Sequence, residues 1–148
     1  MAGVTLSLHL DGIAALEQRL GLLARVDIDP LRDTIGATVE SQTRRRLSED
    51  KAAPDGTPWP DWSPDYAKTR RRGQSLLESE GDLVDSMNFV VSGEDIHVGT
   101  PLVYGAIQHF GGEEVGIDIP AREYLGLSDD DMAELLDQTD AFISRVLQ

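Results

Sequence analysis

The chain has 148 residues, 40% of them hydrophobic, which gives room for one core and is too apolar for wholesale disorder. It contains no cysteine, so disulfides, thiolate catalysis and Cys-ligated zinc or iron are excluded. Thirteen basic against 27 acidic residues give a formal charge of -14, which repels a nucleic-acid backbone unless the basic residues are gathered in one place. Eight of them fall between Arg44 and Arg72 with five acids, a net +3. Glu113 to Gln148, by contrast, holds ten acids and two arginines, a net -8.

Taken in chain order, Val4, Leu6, Leu8 and Leu10 alternate with Thr5, Ser7 and His9, the period of a half-buried strand with His9 facing outward. This start has neither a basic opening followed by an apolar run nor ~20 consecutive apolar residues, so neither a signal peptide nor a membrane span is expected. Asp11 is placed to cap a helix carrying Ile13, Leu16, Leu20 and Leu23. Asp29-Pro30 opens a second helix, with Leu31, Ile35, Val39 and Leu47 as its buried stripe. Arg44, Arg45 and Arg46 follow at ~100° steps around that helix and cannot all be buried.

Ser48 to Ser63 reads as a long loop, with Pro54-Asp55-Gly56 as a turn and Pro58 and Pro60 lacking backbone donors. Ser63-Pro64 starts a short helix running through Tyr66 to Arg72. Leu76, Leu77, Leu83 and Met87 surround Gly81 in a helical or turn segment. Asn88 to Val91 and Ile96 to Gly99 form a hairpin. Pro101 to Phe110 is a helix ended by Gly111-Gly112. Ser128 and Asp131 make a capping box for a final helix. The expected class is α+β: a small antiparallel sheet, several helices, a Pro- and Trp-containing loop and a C-terminal helix.

The three histidines show no i, i+4 pair, and the chain has no phosphate-binding glycine loop and no nucleophile elbow. No catalytic residue, cofactor or metal is expected. Asp129, Asp130 and Asp131 are best explained as first-turn acids that complement the helix dipole. Trp59 and Trp62 are either anchors for a neighbour or a cover folded back over the core. The uneven charge predicts a head-to-tail subunit contact. In it Arg44, Arg45, Arg46, Arg70, Arg71 or Arg72 of one copy meets Asp129, Asp130, Glu134 or Asp137 of the next. The same Arg44–Arg72 region carries the alternative reading, a nucleic-acid-binding protein, and a hydrolase of unrecognised type is a third.

Four segments occur in order: Pro54 to Pro60, Leu77 to Ser86, Tyr104 to Gly112, and Ile119 to Ser128. Together they make the chain resemble the phage virion morphogenesis family, which includes tail-completion proteins. Glu80-Gly81-Asp82-Leu83 departs from that pattern, which tends to have Thr-Gly before the leucine. The resemblance implies a non-catalytic tail-completion-like domain over 1–148, with an extended loop at 48–63. It implies a ring at the virion neck or tail, a hexamer favoured over a dodecamer, assembled in the host cytoplasm. The implied partners are further copies, other neck and tail proteins, and DNA passing through the channel without sequence-specific contact. No membrane is involved.

Overall fold

The computed structural model describes residues 13–148. The strand expected over Val4 to Leu10, with its outward His9, and the Asp11 cap lie outside the described residues. Within them the chain is mixed α+β, six helices and one two-stranded antiparallel sheet. In order these are α1 (Ile13–Ala24), α2 (Asp29–Arg45), α3 (Pro64–Ala67), α4 (Asp82–Ser86), β1 (Asn88–Ser92), β2 (Asp95–Gly99), α5 (Val103–Phe110) and α6 (Asp129–Val146).

Pro30 sits in the first turn of α2, where its missing N–H costs nothing. At its other end α2 passes directly into a π-helical turn, Arg46–Asp50, which Lys51 closes in the left-handed conformation at φ 52°. The Lys51 ammonium donates to the Leu47 carbonyl, to the Leu76 carbonyl at 2.9 Å and to Glu78 at 3.1 Å, fastening this turn to the segment before α4. The buried face of α2 is more polar than its sequence stripe implies. Leu31, Ile35 and Val39 are half-buried, while Gly36, Gln42, Thr43, Arg46 and Leu47 are buried.

β1 and β2 pair in register Asn88↔Gly99 through Ser92↔Asp95, and the hairpin lies on α2. Gly36 makes that approach possible, because a Cβ there would stand 2.2 Å from Cδ2 of Phe89. α6 packs on α2 as well, so α2 is the central element. The core gathers Leu47, Trp59, Leu83, Met87 and Tyr124, with Leu76, Leu77, Val84, Leu102 and Leu125 packed around them.

Candidate interaction surfaces

The three consecutive arginines at the end of α2 have three different environments. Arg44 donates to the Met87 carbonyl at 2.7 Å and pairs with Glu40 at 2.9 Å. Arg45 reaches Asp131 Oδ1 at 3.1 Å. Arg46 is only 3% exposed. It donates to the carbonyls of Tyr124 (2.9 Å) and Gly126 (3.0 Å) and to Asp131 Oδ2. Asp131 is simultaneously the third residue of the α6 capping box, accepting from the Ser128 N–H at 3.0 Å while its own N–H donates to Ser128 Oγ at 3.0 Å. Burial alone would raise the Asp131 pKa. The hydrogen bonds from Ser128 and the Arg46 charge outweigh it and hold the carboxyl below its ordinary range. The expectation that Arg46 meets a neighbouring subunit is therefore corrected: its guanidinium is interior and its acid is its own chain's Asp131.

Of the two readings open for Trp59, anchor for a neighbour or cover over the core, the structure takes the second. Trp59 is 5% exposed, packs in the core and donates its indole N–H to the Glu123 carbonyl at 2.9 Å. The segment around it is closed by the bridge Ala52↔Pro58, and the Trp59 N–H bonds the Lys51 carbonyl at 3.1 Å. Trp62 is different. It is half-buried, meets Tyr66 edge-on at 6.3 Å, and lies beside the Arg70 guanidinium, which sits 4.5 Å over the Tyr66 ring. α3 is shorter than the helix expected to run to Arg72, and Arg71 and Arg72 are exposed on the turns beyond it.

Trp62, Tyr66 and Arg70 form one wall of a groove of about 720 Å³. Tyr104 and Gln108 of α5, with Ile119 and Pro120, form the other, and Leu77 and Leu83 lie between. Arg122 supports the far wall. It is buried and donates from Nε to the Pro60 carbonyl at 2.8 Å and from Nη2 to the Asp61 carbonyl at 3.1 Å. Partial burial, then the Asp82 charge, raises the Tyr104 phenol above its usual range. Three of the four segments quoted above contribute to this groove, while Trp62, Tyr66 and Arg70 lie outside them, and the sequence assigns no groove role to Tyr104, Arg122 or Asp82. Nothing local marks them, since each acquires its role from a residue far away in the chain.

On the opposite side of the charge balance, Asp129, Asp130, Glu134 and Asp137 are exposed on α6, with Glu134 accepting from Gln42 at 2.8 Å. Apolar side chains are also exposed: Leu16 (56%) and Leu20 (55%) on α1, and Leu136 (57%) on α6. α1 and α6 touch each other. His97 is exposed on β2. His109 Nδ1 accepts from the Tyr124 and Leu125 N–H groups at 3.2 and 3.4 Å, which requires a neutral ring. Burial lowers its pKa, partly offset by Glu123. Among the described residues no three His, Asp or Glu side chains are grouped to hold a metal ion, and no helix is long and apolar enough to cross a membrane.

A small core locked by buried polar contacts, with aromatic, apolar and charged patches turned outward, is the architecture of an assembly component. The family comparison agrees. The chain belongs to the phage virion morphogenesis family, whose profile matches residues 11–144, and so has a structural or assembly role in a phage virion. No curated protein and no solved structure matches it.

Proposed function

We propose that the chain is a ring subunit at the virion neck that completes the tail and joins it to the head around the DNA channel. Beyond family membership, the observation that carries this reading is the outward apolar face of α1 and α6. Leu16 and Leu20, one turn apart on α1, and Leu136 on α6 are each more than half exposed, and an apolar helix stripe left uncovered is characteristic of a surface that is covered in an assembly. Charge gives the contact its direction. Arg71 and Arg72 are exposed beyond α3, and Asp129, Asp130, Glu134 and Asp137 are exposed on α6, so a head-to-tail contact between these two regions brings opposite signs together. Exposed pairs of this kind contribute ~0–1 kcal/mol each, so they set orientation while apolar area supplies affinity. An acidic ring also lets DNA slide through its lumen without sticking.

The test is assembly of purified protein, followed by sedimentation and electron microscopy. Leu16→Asp/Leu20→Asp is expected to keep the monomer folded and abolish rings. Rings formed equally well by this variant would refute the proposed contact. The nucleic-acid alternative is weakened by the engagement of Arg44, Arg45 and Arg46 within the chain. Retention on heparin at physiological salt would revive it.

A further inference from the structure

We propose that the groove between α3 and α5 seats an extended segment of a different protein, one that carries an arginine or lysine next to an apolar side chain. The inference goes beyond the ring, and its residues do not overlap with the apolar faces of α1 and α6, so either can fail alone.

The groove offers two kinds of surface. Trp62, Tyr66, Tyr104, Ile119 and Pro120 present rings and aliphatic carbons suited to an apolar side chain. Its charges are unevenly satisfied. Of its carboxylates only Glu78 has a cation, Lys51 at 3.1 Å. Asp61, Glu80, Asp82 and Asp118 have no cationic partner within 4 Å among the described residues. The two guanidiniums in the lining offset them only in part, since Arg122 feels the Asp61 charge but donates to two carbonyls, and Arg70 lies over Tyr66. The Arg70 Nε–H is shielded from water and finds no acceptor among the described residues. An occupant that shifts the guanidinium could supply one from its backbone carbonyls. Excess negative charge around an aromatic cleft selects a cation flanked by apolar groups. Copies that each carry a net charge of -14 repel one another while a basic chain is drawn in, which favours a basic partner over a second copy.

The experiment titrates the full chain, at physiological salt, with a capped octapeptide of alternating Arg and Leu, followed by calorimetry and amide NMR. Saturable binding with shifts around Trp62, Asp82 and Tyr104 is expected. Glu80→Gln/Asp82→Asn is expected to weaken it about fivefold, as loss of two partly exposed charge pairs implies. Trp62→Ala should weaken it comparably, and Asp129→Asn/Asp130→Asn should leave it unchanged. Four results would overturn the proposal: no saturable binding, equal binding by tetra-arginine, loss of binding only in the α6 variant, or loss of self-association in the groove variant, which would make the occupant a second copy.

Discussion

Arg46 and Asp131 form an ion pair almost wholly out of water, and its value lies in what happens when one member is removed. Removing Asp131 leaves Arg46 buried without a carboxylate, which costs ~3–5 kcal/mol, whereas removing Arg46 leaves Asp131 the Arg45 guanidinium at 3.1 Å and the Ser128 N–H. Asp131→Asn is expected to lose stability on that scale and Arg46→Met less, because Arg45 still pairs with the acid, measured by urea unfolding at neutral pH, with a loss under ~1 kcal/mol in Asp131→Asn counting against the assignment. The acid dependence follows from the direction of the shift. Because the folded pKa of Asp131 lies below its unfolded value, the unfolded chain takes up the proton first. The contribution is complete above ~4 and disappears as pH falls through the folded pKa. The Asp131→Asn variant should therefore lose stability less steeply below pH ~4 than the wild type does.

At the level of elements, the two tryptophans of one loop separate cleanly. Trp59→Ala removes a buried ring and its hydrogen bond, and should cost ~3–5 kcal/mol. Trp62→Ala touches a half-buried ring and should stay within ~1 kcal/mol of wild type. Similar losses in both variants would contradict this division. The elements legible in the sequence are those specified locally: the hairpin by its two β-rich runs and Gly93 turn, α5 by its closing glycines, and α6 by a capping box in which Asp131 replaces the preferred Glu. What was hidden depends on distant residues. Trp59 is decided by Glu123, 64 positions away, and Arg46 by Tyr124, Gly126 and Asp131. α3 stops at Ala67, and the Arg70 guanidinium beyond it lies over Tyr66. No pattern between neighbours distinguishes Arg46 from Arg45.

For the whole molecule, copies that all carry a charge of -14 repel one another, so assembly depends on where the few free cations point. Reversing Arg71 and Arg72 to Glu should suppress ring formation, and adding Asp129→Lys/Asp130→Lys in the same chain should partly restore it. Rings unaffected by the reversal would place the arginines outside the subunit contact.

The Arg46–Asp131 pair also governs the order in which the chain can mature. Its acid is synthesised 85 residues after its arginine, so during translation Arg46 has no carboxylate to meet until α6 emerges. Contacts between such distant residues form late and slowly. Docking of α6 is then the event that neutralises this buried cation and commits the nascent chain. A version ending at Leu127 is expected to show no cooperative thermal transition, although the core residues Leu47, Trp59, Leu83, Met87 and Tyr124 are all present in it. A sharp transition near that of the full chain would show that the core closes without α6.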